Sequence, residues 1–418
     1  MRKSMLFFVV VLSLSLCVVS TIVYSSDTIY VWSNLSNSIS NTQTNNTSEN
    51  VQNTNTVSAP VVDLGLESAS AILIEQNTGK ILYEHNSHEQ LRPASVTKIM
   101  SILLIMEALD SGKITLDTPI PCSENAASMG GSQIWLDVRE TLTVNEMLKA
   151  ITIASANDCV VAMAEYLEGS EEAFVEKMNE KANALGMKDT CFKNCHGLDE
   201  DGHLTSSYDI ALMSRELLIH HPTITQYTTI WMDTLRDGKS QLTNTNKLIR
   251  NYQGATGLKT GSTGLALYNL SASATRNDLS LIAVIMKAPS TQVRFSEAEK
   301  LLDYGFNHYT YEQFAKAGDV LNTLEVEKGV TSHVPVGFTN DAGYLLEKTN
   351  SQEVTQVISL PDVVSAPVSK GQKIGEIRFE LNGEVLCQSD IVALEEVKKM
   401  EPTSMLESLF FSWFRVLR

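Results

Sequence analysis

Three short motifs in this chain combine residue types that could carry out nucleophilic catalysis. In chain order they are Ser95-Val96-Thr97-Lys98, Ser155-Ala156-Asn157 and Lys259-Thr260-Gly261. The first places a hydroxyl and an amine three residues apart, and on a helix this spacing puts both on one face, within reach of each other. Serine is a weak nucleophile until a base removes its proton. The spacing therefore predicts Ser95 as the nucleophile and Lys98 as its base.

The three motifs are informative as an ordered set. Each is weak alone, because short tripeptides recur by chance in 418 residues. Such sets occur in class A β-lactamases and penicillin-binding proteins. A class A β-lactamase would also need a Glu-x-x-Leu-Asn motif in a loop after the second motif to activate the deacylating water, and the sequence contains no Glu-x-x-Leu-Asn. A non-catalytic penicillin sensor or scaffold would tolerate the loss of Ser95 or Lys98, and both residues are present.

The motifs and their surroundings resemble the D-alanyl-D-alanine carboxypeptidases, the low-molecular-mass penicillin-binding proteins of serine peptidase family S11. The resemblance covers residues 64–310 closely and the tail more loosely. It is carried by Pro93-Ala94-Ser95-Val96-Thr97-Lys98-Ile99-Met100, Ser155-Ala156-Asn157-Asp158, Phe174-Val175-Glu176-Lys177-Met178-Asn179, Asn194-Cys195-His196-Gly197-Leu198 and Gly257-Leu258-Lys259-Thr260-Gly261. Cys159 stands where this family more often has alanine. Ser262, Leu265 and Leu267 lie in a stretch after the third motif where the family is usually more polar and glycine-rich. These departures bear on substrate preference.

The resemblance implies a two-step acyl transfer on peptidoglycan. Ser95 would attack the carbonyl between the last two D-alanines of a stem peptide while Lys98 takes its proton. Lys98 must be neutral for this, which partial burial and the positive field of Lys259 would favour. Ser155 would pass the proton to the departing amine, and Asn157 would hold a peptide amide of the substrate. Water would then release the acyl group from Ser95.

The third motif would form the other half of the substrate site. Lys259 and Thr260 would bind the terminal carboxylate, with Gly261 between them and Ser262. By resemblance, the backbone N–H groups of Ser95 and Ser262 would hold the oxyanion. No metal or organic cofactor is expected, and β-lactams would be trapped as acyl esters on Ser95. An endopeptidase acting on wall crosslinks is chemically close to this carboxypeptidase and stays an alternative.

Histidines and cysteines offer competing sites. His196 and His203 could suggest a Ser-His-Asp triad, but neither motif serine lies in a nucleophile-elbow context, so both histidines are predicted to be structural. Cys191 and Cys195 with His196 make an incomplete zinc set, and no metal site is predicted. Without Cys17, which lies in the apolar N-terminal segment, an odd number of cysteines remains, and these are expected to be buried free thiols: Cys122, Cys159, Cys191, Cys195 and Cys387.

Composition and the N-terminus indicate the compartment. The formal net charge of −17 argues against a nucleic-acid partner, which would require a basic surface. Residues 1–25 begin with Arg2 and Lys3, continue with an apolar run and end in a small-residue cleavage pattern, which predicts a secretory signal peptide. An uncleaved anchor is the alternative. The domain is therefore expected outside the cytoplasm, bound to the outer face of the cytoplasmic membrane. Residues 26–63, rich in Ser, Asn and Thr, predict a flexible spacer.

The elements around the motifs predict an α+β catalytic domain over residues 64–310, an antiparallel sheet with a helical cluster like that of the β-lactamases and transpeptidases. A hairpin over residues 71–83 precedes a helix over 95–109. A capping box of Thr143 and Glu146 begins a helix that ends near residue 153, so the second motif falls in a loop. Asp158 is predicted to cap the next helix, which ends at Gly169, and Ser170 begins another. Strands over 268–275 and 279–287 form a hairpin, and the first and last strands should share one sheet.

The tail predicts two further elements. Residues 315–395 should form a small separate β domain, with a hairpin turning at Asn382-Gly383. Residues 402–418 should form an amphipathic helix that lies in the membrane interface, because it is too short to cross a bilayer. A helix docked on the β domain is the alternative. The apolar stripe consists of Leu406, Leu409, Phe410, Trp413 and Leu417.

Overall fold

A computed structural model describes residues 62–349 and 353–401 of the chain. These residues belong to one compact unit, Val61–Arg418. The predicted signal peptide, the spacer up to residue 61 and the predicted C-terminal helix, residues 402–418, lie outside the described residues.

The central element is a five-stranded antiparallel sheet. Its strand order is Ile81–His85, Ser70–Glu75, Leu279–Ala288, Leu267–Arg276 and Ala255–Thr263. Ser70–Glu75 pairs with Ile81–His85 on one side and with Leu279–Ala288 on the other. This confirms both predicted hairpins and the prediction that the first and last strands share a sheet. The third motif lies in Ala255–Thr263, the edge strand of the sheet.

Both faces of the sheet are covered. Successive side chains of a strand point to opposite faces, and along the first strand Ile72 and Ile74 join one hydrophobic cluster whereas Ala71 and Leu73 join another. The first cluster packs on the helical layer that carries the first two motifs. The second packs on the helix Thr291–His308. The sheet therefore lies between two helical layers. The sequence did not predict the second of them, which is formed by the helix Thr291–His308.

The helical layer surrounds one buried helix, Lys98–Asp110, which carries the base of the first motif. It is apolar nearly all round, as expected for a helix enclosed by others. The α-helices of the described residues are Lys98–Asp110, Glu124–Ala127, Val144–Lys149, Asn157–Glu168, Glu171–Ala184, Ser207–His220, Thr225–Thr228, Leu248–Asn251 and Thr291–His308. In this part of the chain, none of the helices combines the length and the apolar character needed to cross a bilayer.

Local sequence signals set several helix ends as predicted. The Thr143 hydroxyl accepts from the Glu146 N–H while the Glu146 carboxylate accepts from the Thr143 N–H, which completes the capping box. Ser170 accepts from the Ala173 N–H at the start of Glu171–Ala184. Gly169 ends the preceding helix at a φ of 85°, a left-handed conformation that glycine adopts without steric cost.

Strands dominate the described residues from Tyr309 to Glu401. A six-stranded sheet has the order Thr355–Ser359, Lys373–Leu381, Glu384–Ala393, His333–Gly337, Val320–Glu327 and Val363–Ser365. Tyr309–Ala315 pairs separately with Ala342–Glu347. A hydrophobic cluster of its own fills this region. The predicted hairpin is confirmed, since Asn382 and Gly383 both take a positive φ between two paired strands.

Candidate active site

The first motif begins in a 3-10 turn, Ala94–Thr97, that leads directly into the helix Lys98–Asp110. The predicted helix therefore starts three residues later than expected, but the spacing argument holds. Ser95 Oγ lies 3.1 Å from Lys98 Nζ. Ser95 is half-buried at the start of the turn, whereas Lys98 is enclosed within the helical layer.

Lys98 carries a fully buried amine with more partners than the sequence indicated. Its Nζ donates to Asn157 Oδ1 at 2.5 Å and to the backbone carbonyl oxygen of His196 at 2.7 Å. Burial lowers the pKa of the Lys98 amine to about 7, although nearby Cys195 and Asp158 act to raise it. Complete burial is thus the main cause of the low pKa, where the sequence predicted partial burial together with the field of Lys259.

The second motif follows an irregular turn. Ala150–Ala154 forms a π-helical turn, and Ser155 after it has a φ of 64°. Such turns and left-handed non-glycine residues concentrate at functional sites. Asn157 begins the helix Asn157–Glu168, donating its backbone N–H to the Ser132 carbonyl and its side-chain amide to the Gly130 carbonyl. The segment around residues 130–132 therefore supports Asn157, a contact that the sequence did not reveal.

The prediction that Asp158 caps this helix is wrong. Ala156 occupies the N-cap position and no side chain caps it. The buried Asp158 carboxylate instead accepts from the backbone N–H groups of Ile134 and Leu136. Asp158 lies inside the first turn of the helix, and its carboxylate holds the neighbouring loop in place. At the helix start, the Asn157 N–H donates instead to the Ser132 carbonyl.

The third motif brings a second buried amine to the site. Lys259 Nζ donates to Ser155 Oγ at 2.9 Å and to the Thr260 carbonyl at 2.8 Å. Burial, followed by the charges of Lys98 and Arg294, lowers the pKa of Lys259 well below its usual value. The Thr260 hydroxyl donates to Thr245 Oγ1 at 2.7 Å. The second and third motifs are therefore in direct contact.

Gly261 lets the third motif approach the nucleophile turn. A Cβ at this position would lie 2.8 Å from the backbone nitrogens of both Ser95 and Val96 and 2.9 Å from the Pro93 carbonyl, so a side chain cannot be accommodated. Ser262, the next residue, is exposed on the same strand. The strand edge and the backbone of Ser95 thus face each other at close range.

The sequence analysis did not predict the roles of several residues around the site. The His196 carbonyl acts through the backbone, which carries no residue-type signal, although the segment 194–198 was part of the family resemblance. Gly197, with a φ of 92°, packs so closely on the Ala94 carbonyl that a Cβ would lie 1.9 Å from its oxygen. Thr245 and Arg294 come from distant parts of the chain, and Arg294 Nη1 donates to the Asn269 carbonyl at 3.3 Å.

The two histidines bond elsewhere than to the motif serines. His203 is buried between the Thr97 hydroxyl and the Lys193 N–H, and burial lowers its pKa to about 4. His196 accepts from the Leu198 N–H and lies 3.4 Å from Glu171. Both rings are structural, as predicted.

The cysteines match expectation with two exceptions, the exposed Cys191 and the half-buried Cys387. All five in the described residues are free thiols, and Cys122, Cys159 and Cys195 are buried. Cys191 is exposed, which contradicts its predicted burial, because it lies at an isolated bridge with Leu204 and not inside the helical layer.

Two family models match the chain. Residues 53–290 match the peptidase S11 family, described as D-alanyl-D-alanine carboxypeptidase. Residues 309–399 match the C-terminal domain of penicillin-binding protein 5.

Individual relatives agree with these matches. The D-alanyl-D-alanine carboxypeptidase DacF of Bacillus subtilis (strain 168) is 45% identical over 355 residues, or 84% of this chain and 91% of the relative. The solved structure of penicillin binding protein 5 from Haemophilus influenzae has a TM-score of 0.69 and 29% identity, covering 81% of this chain and 100% of that one. Penicillin-binding protein D2 from Listeria monocytogenes in its ampicillin-bound form has a TM-score of 0.54 and 30% identity, covering 59% of this chain and 100% of that one. The chain therefore belongs to the D-alanyl-D-alanine carboxypeptidases of peptidase family S11 and is a serine-type peptidase, which confirms the family and reaction predicted from its motifs.

Proposed function

We propose that this carboxypeptidase removes the terminal D-alanine of a peptidoglycan stem peptide through an acyl-enzyme on Ser95. The observation that carries the assignment is the position of Lys98 Nζ, 3.1 Å from Ser95 Oγ in a fully buried setting. A neutral amine has two N–H groups and one lone pair. Asn157 Oδ1 and the His196 carbonyl take the two N–H groups, so the lone pair is left for the proton of Ser95. With a pKa of about 7, Lys98 is substantially neutral near neutral pH.

Acylation then forms one bond and breaks another. Ser95 Oγ bonds to the carbonyl carbon of the penultimate D-alanine while its proton passes to Lys98. The bond from that carbon to the nitrogen of the last D-alanine breaks, and the nitrogen takes the proton that Lys98 received, passed on through Ser155, which leaves Lys98 neutral again. Free D-alanine is the first product, and water hydrolyses the ester in the second half of the reaction. These steps use side chains and water of the site and need no metal or organic cofactor.

The third motif and the nucleophile turn would stabilise the charges that develop. The backbone N–H groups of Ser95 and Ser262 are proposed to hold the oxyanion, and the close approach of Gly261 to the Ser95 nitrogen supports this pairing. Lys259 and Thr260 are proposed to bind the terminal carboxylate. A bound carboxylate would restore the positive charge of Lys259, because an opposite charge nearby favours the ionised form. Asn157 is proposed to hold the peptide amide.

β-Lactams are proposed to acylate the same serine. Penicillin-binding protein D2 of Listeria, similar to this chain in its catalytic region, has been solved in an ampicillin-bound form. The test of the whole proposal is intact mass after exposure to a labelled penicillin, followed by peptide mapping, together with release of D-alanine from a peptide ending in D-Ala-D-Ala. A single adduct on Ser95 and stoichiometric D-alanine are expected. An adduct on another residue, or an adduct without peptide hydrolysis, would overturn the assignment.

The location of the protein is a separate proposal. An N-terminal signal over residues 1–25 and an amphipathic helix over residues 402–418 would place the enzyme outside the cytoplasm, attached to the outer face of the membrane. The support is the sequence pattern: an apolar run after two basic residues, and an aromatic-rich stripe around Trp413 at helical spacing. The acidic chain would be repelled by anionic lipids, so the attachment would be mainly apolar.

A further inference from the structure

An exposed tryptophan lies on the loop that supports Asn157. Trp135 is 74% exposed, whereas its neighbours Ile134 and Leu136 are only 5% and 4% exposed. Three residues earlier in the same loop, the Ser132 carbonyl accepts from the Asn157 backbone N–H. The indole therefore lies at the outer end of a segment whose inner end contacts the active site.

The backbone of Trp135 takes a conformation that bulky residues rarely adopt. Its φ is 56°, in the left-handed region, where a large side chain is unfavourable and Gly or Asn is common. Non-glycine residues in such conformations cluster at ligand clamps and active sites, where surrounding contacts over-determine them. Single exposed apolar residues are common on protein surfaces, so it is the left-handed backbone of Trp135 that supports a ligand contact at this position.

Two buried or partly buried ionic groups hold this conformation from both sides. The Asp158 carboxylate accepts from the N–H groups of Ile134 and Leu136. The Arg236 guanidinium donates to the carbonyls of Ile134 and Trp135. Arg236 is itself paired with Glu140 at 2.6 Å. The backbone around Trp135 is thus fixed before any ligand arrives.

The indole ring is oriented as well. With the Gln133 amide turned so that its nitrogen donates to the Met129 carbonyl, its oxygen accepts from Trp135 Nε1 at 3.3 Å. This contact uses the ring's single donor, while most of the Trp135 residue stays exposed to solvent.

We propose that Trp135 is a stacking platform for a sugar ring of the glycan strand that carries the stem peptide. The inference rests on the proposed function, since it needs a substrate peptide held at Asn157. The N–H groups of Ile134 and Leu136 are already bonded to Asp158, and the carbonyls of Ile134 and Trp135 are bonded to Arg236. These four backbone groups are therefore not available to an incoming peptide chain. What the loop offers is an aromatic face, whose negative charge density attracts the C–H bonds on the flat side of a pyranose ring.

The distances are compatible with this assignment. From Ser132 to Trp135 the chain spans at most about 11 Å at ~3.6 Å per residue. A stem peptide of a few residues, anchored at Asn157 near its reacting end, extends its sugar end over a similar distance, on the order of 10–15 Å. The sugar can therefore reach the indole while the reacting end stays beside Ser95.

The test compares two soluble substrates that share one stem peptide ending in D-Ala-D-Ala, one free and one attached to a disaccharide. The readout is the ratio of kcat/KM for the disaccharide substrate to kcat/KM for the free peptide. Trp135→Asn removes the ring with a residue that tolerates the left-handed backbone, and Trp135→Phe keeps an aromatic face. Leu116→Ala, an exposed apolar residue elsewhere on the surface, is the matched control.

The ratio is expected to exceed one in the parent and in Leu116→Ala. It should fall roughly two- to tenfold in Trp135→Asn and be largely retained in Trp135→Phe, since aromatic contacts are worth factors of about two to ten. An unchanged ratio in Trp135→Asn would overturn the proposal, including the case in which both substrates lose activity equally because the ring contacts the peptide or positions Asn157. Hydrolysis of the free peptide by the parent enzyme tests the proposed function independently of the ratio.

Discussion

Lys259 Nζ donates to Ser155 Oγ at 2.9 Å, so the second and third motifs are joined by a hydrogen bond inside the protein. Lys98 joins the first motif to the second through Asn157. Two buried amines, both with lowered pKa values, thus flank a pair of serine hydroxyls. In the proposed mechanism this arrangement would supply a proton acceptor at Ser95 and a proton donor at Ser155 without a histidine.

Replacing the nucleophile should abolish chemistry and leave the fold unaffected. Ser95→Ala removes the hydroxyl from a half-buried turn position, and both D-alanine release and covalent penicillin labelling should disappear. In serine peptidases, loss of the nucleophile costs on the order of 10⁶ in rate. Labelling by intact mass is the measurement, with Ser296→Ala, an exposed helix serine, as the control. Penicillin labelling that survives in Ser95→Ala would show that another residue is the nucleophile.

Replacing the base should block acylation even if charge is kept. Lys98→Arg retains a cation that does not lose its proton near neutral pH, and Lys98→Met removes the charge at similar volume. Both should bind substrate but acylate far more slowly, as followed by the rate of penicillin labelling, with thermal unfolding to confirm folding. If either variant acylates within about tenfold of the parent, a loss of only ~1.4 kcal/mol, Lys98 is not the base.

The same residue predicts a pH profile. Because Lys98 acts in its neutral form, and burial lowers its pKa to about 7, kcat/KM for acylation should rise with pH through about 7 and then level off. The pH dependence of kcat/KM reports the pKa values of groups of the free enzyme. The rise of kcat/KM near pH 7 should therefore be absent from the residual activity of Lys98→Met. If Lys98→Met still shows this rise with pH, the group that titrates is not Lys98.

Lys259 should act on the terminal carboxylate of the substrate. Lys259→Ala is expected to reduce kcat/KM more for a peptide that ends in a free carboxylate than for its C-terminal amide, because only the former presents the charge that the ammonium binds. Lys239→Ala, an exposed lysine, controls for loss of net charge. An equal loss of kcat/KM for both peptides would mean that Lys259 acts only on Ser155 and its proton transfer and does not bind the carboxylate.

Deleting residues 402–418 should release the mature protein from membranes and keep its activity on small substrates. Each apolar side chain withdrawn from the interface costs roughly 1.5–3 kcal/mol if it was fully buried, so losing several shifts partitioning by orders of magnitude. Trp413→Glu should do much of the same, whereas Ser412→Glu, on the polar side of the predicted helix, should not. Co-sedimentation with lipid vesicles is the measurement. Equal sedimentation of the full-length and deleted forms would place the attachment elsewhere, in an uncleaved segment near the N-terminus.

The sequence by itself predicted the family, the reaction class and most local elements. The spacing of Ser95 and Lys98 predicted that the two side chains reach each other within one helical turn, and the order of the three motifs added Lys259 to the predicted site. Helix ends at Thr143 and Gly169 and the hairpin at Asn382 were predictable, because caps and turns depend on residues adjacent in the chain.

Only the tertiary structure decided what surrounds those residues. Full burial of Lys98, which sets its pKa, results from packing by segments that are far apart in sequence, as does the contact of Lys259 with Ser155. The backbone carbonyl of His196 carries no sequence signal, because every residue has one. Asp158 illustrates the limit of local reasoning, because its residue type and position suit a helix cap. The fold instead places beside its carboxylate a loop with two N–H groups that need an acceptor. Bonding those buried donors outweighs capping the helix.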